Sequence, residues 1–259
     1  MNDKGLQIEI VNMSKLYGDK PAVQRLRLTV EPGKIFCFLG RNGAGKSTTI
    51  HTIVGQKNPT DGDVRIGGVS VASANIHSVW KRLGYLAEQP TLHDHLTGRE
   101  FLLFLAELYG VDRSRIEWIE ESLALFELGA DADAMIRTYS LGMKKKIALL
   151  GALVHDPDFL VFDEPTGAMD AAGARIVKDL MVRARDDGKL VFFTTHIMEI
   201  AERLADRIAI IDHGRLIADG TLEELRNQFG RKSAEPLEDI FLRVTDNAGD
   251  QAVPTPTAS

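Results

Sequence analysis

The run Gly40-Arg41-Asn42-Gly43-Ala44-Gly45-Lys46-Ser47, followed by Thr48, fits G-x-x-x-x-G-K-[ST] at every fixed position. The chemistry open to such a run is phosphate binding. Its glycines let the backbone wrap an anion with N–H groups turned inward. Lys46 reaches the outer phosphates, and the Ser47 hydroxyl is a hard oxygen ligand suited to Mg²⁺. Much farther along, the apolar run Leu160-Val161-Phe162 ends in Asp163 and Glu164. Asp163 is expected to hold the metal, directly or through water. Glu164 is expected to take a proton from a water attacking the terminal phosphate, help typically worth ~10²–10⁴ in rate. His196 directly follows a second apolar run, Leu190–Thr195. It should emerge at the same sheet edge, within reach of that phosphate and water. Lys46, Glu164 and His196 are therefore the catalytic candidates. Tyr139-Ser140-Leu141-Gly142-Met143 opens a helix, with Ser140 as N-cap, Gly142 in the first turn and three lysines behind. Such an end binds anions through its free N–H groups and dipole. One chain thus carries two anion sites.

The elements around these residues alternate. The pattern from Leu6 to Val30 is strand-like, with period-2 alternation in "LQIEIVNM" and again in "LRLTV", and "EPGK" predicts a turn. "IFCFLG" reads as a buried strand feeding the glycine-rich loop, with a helix from about Lys46. "TDGDVRIGG" holds a strand between turns, and "RLGYLAEQP" a strand that breaks at Pro90. From Thr97 the character becomes helical. Thr97 and Glu100 form a capping box. "FLLFLAELYG", "RIEWIEESLALFEL" and the stretch from Ser140 to "ALVHDP" carry helical periodicity. About residues 90–155 are expected to be a mostly helical insertion. Strand and helix then alternate again through "FLVFDEP", "AAGARIVKDLMVRARDDG", "KLVFFTTH" and "IMEIAERLA". "RIAIIDHGRLIADG" predicts a hairpin turning near His213-Gly214, and "TLEELRNQF" a helix capped by Thr221. This alternation predicts an α/β fold with a largely parallel sheet. "PLEDIFLRVT" (236–245) reads as a short amphipathic helix, and "NAGDQAVPTPTAS" as a disordered end.

Composition narrows the classes. The chain has 259 residues, 44 % hydrophobic, enough for a substantial core in one large domain or one with an inserted subdomain. Its formal net charge of −6 argues against nucleic acid as a main partner. The one cysteine, Cys37, lies in an apolar run, which rules out an internal disulfide or a cysteine metal cluster and predicts burial. "HDH" (93–95) lacks a third ligand and reads as a solvated loop. No N-terminal signal and no apolar run of the ~20 residues that span a bilayer are visible. Any membrane role is expected to be peripheral, through a partner.

Taken together and in this order, the loop at 40–47, the segment at 139–143, Asp163-Glu164, Ala168-Met169-Asp170 and His196 resemble the ATP-binding subunits of ABC transporters. The resemblance covers about Leu6 to Leu242. It implies a P-loop NTPase core with an antiparallel β subdomain and an inserted helical subdomain, in a nucleotide-binding domain over 1–230 followed by an extension over 231–259. It implies ATP and Mg²⁺ as ligands, and a second nucleotide-binding subunit and an integral membrane permease as partners. The two nucleotide-binding domains would pack head to tail. Ser140 and Gly142 would then touch the γ-phosphate bound by the other subunit, which answers why one chain has two anion sites. Leu141 and Met143 depart from the common Leu-Ser-Gly-Gly-Gln; Tyr-Ser-x-Gly-Met resembles a subgroup paired with ABC-2-type or drug-export membrane subunits. Tyr17 matches the aromatic that stacks on adenine. Asp170 matches a loop communicating across the dimer. The family's glutamine that reaches Mg²⁺ and faces the membrane subunit has Glu88 at its place and Gln89 beside it. Either could serve; Glu88 is preferred because the same glutamate appears in the resembling subgroup. The expected function is ATP hydrolysis powering an exporter, from the cytoplasmic face of the membrane. The alternative is a soluble ABC-type ATPase acting on nucleic acid or ribosomes. A P-loop kinase or switch GTPase leaves the segment at 139–143 and His196 unexplained.

Overall fold

The computed structural model describes residues 7–112, 114–230 and 235–249. Chain order gives strands β1 (Ile8–Tyr17), β2 (Lys20–Val30) and β3 (Ile35–Leu39), helix α1 (Lys46–Ile53), and strands β4 (Asp61–Ile66) and β5 (Val69–Ser70). Helix α2 (His77–Trp80), strand β6 (Leu83–Leu86) and helices α3 (Gly98–Leu108), α4 (Ser114–Leu125) and α5 (Leu141–Leu153) follow. The remainder is β7 (Phe159–Asp163), α6 (Ala171–Asp186), β8 (Leu190–Thr195), α7 (Met198–Leu204), β9 (Arg207–Asp212), β10 (Arg215–Gly220), α8 (Leu222–Phe229) and α9 (Leu237–Gly249).

Two sheets form. The larger has the order β10-β9-β3-β8-β7-β6, parallel except for β10. The smaller, β2-β1-β4-β5, is antiparallel. Side-chain alternation explains why the central strands read as unbroken apolar runs. Ile35, Cys37, Leu39, Leu160, Phe162, Val191 and Phe193 face a core shared with α3–α9. Phe36, Phe38, Phe159, Val161 and Phe192 face the other way, into a core shared with α1 and the antiparallel sheet. Cys37 is fully buried and free, as its apolar run predicts.

Local signals start and stop these elements. Thr97 accepts from the Glu100 N–H while Glu100 returns to the Thr97 N–H, opening α3; Thr221 and Glu224 repeat the box at α8. The β9–β10 hairpin turns through His213 (φ 44°) and Gly214 (φ 76°), the paired left-handed conformation of a tight two-residue turn. β1 and β2 fall within the strand-like stretch read from Leu6 to Val30 and meet in a hairpin at Gly18-Asp19. Three expectations need correction. β6 stops at Leu86 rather than Pro90, because pairing with β7 ends at Phe162. The turns of helix over 74–80 carry no extended apolar period and were not expected. The helix at 236–245 runs on to Gly249, so Asn247-Ala248-Gly249 are helical rather than disordered. Leu6, residues 231–234 and the rest of the expected disordered end lie outside the described residues. Among the described residues, no helix is long and apolar enough to cross a membrane.

Candidate functional site: a phosphate cleft and an exposed helix end

The glycine-rich loop leaves β3 at the carboxyl edge of the parallel sheet and turns into α1. Gly45 is the hinge of that turn, at φ 107°, and a Cβ there would lie 2.6 Å from the Ala22 carbonyl. Only glycine satisfies both conditions. The loop is braced from behind, where the Gly214 N–H of the β9–β10 turn donates to the Ala44 carbonyl (2.9 Å). Arg41 extends over the ring of buried Phe241 on α9, 5.9 Å from its centroid. A cleft of about 240 Å³ is lined by Arg41, Asn42, Gly43, Gly45, Lys46, Ser47 and Thr48, with Ala22, Glu88 and Glu164. Gly40 and Ala44 are buried behind it.

Lys46 is 5 % exposed. Its Nζ donates to the Gly40 carbonyl (2.8 Å) and the Arg41 carbonyl (3.3 Å), and lies 3.5 Å from Glu164 Oε1. That same carboxylate oxygen lies 2.9 Å from His196 Nδ1. Glu164 is thus flanked by an ammonium and an imidazole. Its backbone sits at φ 47°, a left-handed conformation that costs a non-glycine residue about 1–3 kcal/mol and is typical of functional sites. The Glu164 N–H donates to Thr194 Oγ1 (3.1 Å), and that hydroxyl donates to Asp163 Oδ1. One buried threonine therefore orients both acids. Ser47 and Glu88 line the cleft, and Asp163, 2 % exposed, lies outside its lining; all three offer only oxygen donors, the chemistry that fits Mg²⁺.

Of the two neighbours at 88 and 89, Glu88 lines the phosphate cleft. Gln89 lines a separate groove of about 500 Å³ with Tyr85, Tyr109 and His155. In that groove His155 stacks on Tyr109, ring centroids 3.9 Å apart. Burial holds the His155 imidazole below its ordinary value. Burial, with Asp163 adding to it, pushes the Tyr85 hydroxyl up to about 12.

Ser140 and Gly142 are elsewhere. Ser140 caps α5 by accepting from the Met143 N–H (3.2 Å) and is exposed, and Leu141 beside it is 59 % exposed. Neither Ser140 nor Gly142 lines the cleft formed by the chain's own loop. Gly142 also has a packing reason to be glycine, because a Cβ there would sit 2.9 Å from the Ala168 carbonyl. Tyr17 stands 47 % exposed at the β1–β2 hairpin end, 5.6 Å from Lys15 Nζ, and is not in the cleft lining.

The three lysines behind the helix end do not form one cationic patch. Successive helical residues point about 100° apart, so each finds a different partner. Lys144 pairs with Asp94 (3.0 Å). Lys145, 1 % exposed, donates to the carbonyls of Glu88 (2.8 Å) and Asp163 (3.4 Å). Lys146 pairs with Asp170 (3.4 Å), which caps α6 through the Gly173 N–H. That N–H first, and Lys146 with it, holds the Asp170 carboxyl below the usual carboxylate range. Thr194, Lys145 and Lys146 are site residues that the sequence reading missed. Their signal was adjacency, a threonine two residues before His196 and lysines behind Ser140.

Comparison with known proteins agrees with this geometry. The family described as ABC transporter matches residues 23–167. The Nod factor export ATP-binding protein I of Rhizobium etli is 36 % identical over 219 residues, 84 % of this chain and 69 % of that protein. The phospholipid-transporting ATPase ABCA3 of Rattus norvegicus is 38 % identical over 226 residues, 85 % of this chain; the chain spans only 13 % of that relative's length. A dimeric structure of a post-hydrolysis state of the ATP-binding cassette MJ0796, bound to ADP and Pi, superposes with a TM-score of 0.75 at 25 % identity, covering 83 % of this chain and 98 % of that one.

Proposed function

The chain belongs to the ABC transporter family, and from that premise we propose that it binds and hydrolyses ATP to power an exporter of the ABC-2 type. One observation carries the reading. Lys46, Glu164 and His196 meet at a single carboxylate oxygen beside the phosphate loop, while the serine-capped end of α5 stays exposed and outside that cleft. A site so divided needs a second copy, or a relative of this chain, to be complete. The relative named for export and the dimeric neighbour support the transport reading over a soluble ATPase acting on nucleic acid.

In this reading the residues of 40–48 cradle the phosphates, and Tyr17 stacks on the adenine from the exposed hairpin end. Ser47, Asp163 and Glu88 would hold Mg²⁺ with the nucleotide, and the ion would there supply charge neutralisation of the phosphates. Water attacks the γ-phosphorus in line, its proton passes to Glu164, and the bond from phosphorus to the β–γ bridging oxygen breaks to release ADP. His196 holds the γ-phosphate and the attacking water. Ser140 and Gly142 act on the nucleotide of the other copy. Burying phosphates between two positive helix ends makes ATP, with its γ-phosphate, the ligand that closes the dimer. The loop at Glu88 faces an integral membrane permease, which holds the domain on the cytoplasmic face of the membrane. Residues 1–230 form the nucleotide-binding domain, with the helical subdomain inserted over about 90–155.

Glu164→Gln tests the base assignment. It should bind ATP as the native protein does, lose turnover by ~10²–10⁴ and accumulate as an ATP-bound dimer. Unchanged turnover would remove Glu164 from that role.

A further inference from the structure

Lys145 is one of the most deeply buried cations of the described residues, and it has no carboxylate within 4.0 Å among them. Its ammonium is spent on two backbone carbonyls. One belongs to Glu88, in the loop after β6; the other belongs to Asp163, at the end of β7, one residue before Glu164. The lysine itself stands on α5, five positions after Ser140. Burying an ammonium costs several kcal/mol, a cost that two backbone carbonyls and the more distant charges of Asp163, Glu88 and Glu164 offset only in part. Packing does not require it, since an unbranched apolar side chain of similar length fills the same volume without that penalty.

We propose that Lys145 is a positioning residue that locks the Glu88 loop, the Asp163–Glu164 strand end and the α5 helix into one moving unit. Its neighbour Lys146 extends the unit to Asp170 and the start of α6. A displacement imposed on the Glu88 loop is thereby delivered to the chain's own acid pair and to the serine-capped helix end that serves the other copy. The inference rests on the reading of the cleft as an ATPase site with Glu88 facing a membrane partner. It adds the side chain through which that loop reaches the reacting groups.

Lys145→Met and Lys145→Gln test it, in the full-length chain. Thermal midpoint, ATP affinity measured without metal, Mn²⁺ affinity of the ATP-bound protein by electron paramagnetic resonance, and turnover are read on each. Outer partners that orient ligating groups are typically worth ~10–100-fold in metal affinity or activity. The expected result for Lys145→Met is a midpoint within a few degrees of the native chain's, because relief of the ammonium's desolvation offsets the two carbonyls left without this donor, with metal-free ATP affinity within about threefold and ~10–100-fold losses in turnover and Mn²⁺ affinity. Lys145→Gln, which keeps one shorter donor, should fall between. Native-like turnover and Mn²⁺ affinity in Lys145→Met would overturn the proposal. So would loss of the fold in both variants, or a fall in turnover that tracks the midpoint, because each makes Lys145 a structural residue. Failure of the native chain itself to bind ATP would instead defeat the ATPase reading beneath it.

Discussion

Thr194 shows how much of this site depends on a residue with no chemistry of its own. Its hydroxyl donates a hydrogen bond to Asp163 and accepts one from the Glu164 N–H, fixing the proposed metal ligand and the proposed base, whose backbone sits in a strained conformation. Thr194→Val keeps the shape and removes both bonds. It leaves a buried N–H unpaired, so stability should fall by about 1–3 kcal/mol in a denaturant titration. Turnover should fall further than that loss explains, by ~10–100-fold, because both acids lose their orienter. A variant that is destabilised but fully active would show that the acids hold themselves. Thr194 was not legible in the sequence because its partners are thirty residues away and meet it only through the pairing of β7 with β8. The loop at 40–47 was legible because every group it needs is contiguous. Gly142 carries a further lesson, since the Ala168 carbonyl demands a glycine there whatever the nucleotide does.

Helix α5 joins functions that are separate along the chain. Its exposed first turn presents Ser140, its buried face reaches Glu88 and Asp163, and its next lysine reaches Asp170. Ser140→Arg places a bulky cation at that first turn, away from the chain's own cleft. It should abolish hydrolysis while isolated monomers bind ATP with native affinity in an equilibrium titration. Lost binding by those monomers would mean that the helix end serves its own loop. The segment after α5 carries a pH device of its own. His155 stacks on Tyr109 at the end of α3, and burial keeps its imidazole below the ordinary value of 6.5. The unfolded chain therefore takes up this proton first. The stability it contributes is present above pH 6.5 and is lost as pH falls through the folded-state value. His155→Phe keeps the stacked ring and should flatten that part of the pH–stability curve, as read by thermal midpoints between pH 5 and 7. Helix starts such as Thr97 and Thr221 were legible because a capping box is local. The end of β6 was not, because pairing with β7 sets it rather than Pro90.

At the scale of the whole molecule, two sheets and a helical layer bring phosphate loop, acids and histidine to one edge and leave the serine-capped end of α5 outside the cleft lining. The sequence alone supported this division through the order of its motifs, but not the position of Tyr17, which the β1–β2 hairpin carries to an exposed end outside the cleft lining. Its preference for Glu88 over Gln89 came only from the resemblance, since one residue of register decides which of them lines the cleft and which the neighbouring groove. The central claim is that two copies complete each other's sites. The most direct measurement is a crystal structure of Glu164→Gln loaded with ATP and Mg²⁺. The account predicts a head-to-tail pair in which Ser140 Oγ of one copy lies within hydrogen-bond distance of the γ-phosphate held by Lys46 and Ser47 of the other. An ATP-filled cleft with no second copy against it, or with both Ser140 hydroxyls turned to solvent, would contradict it.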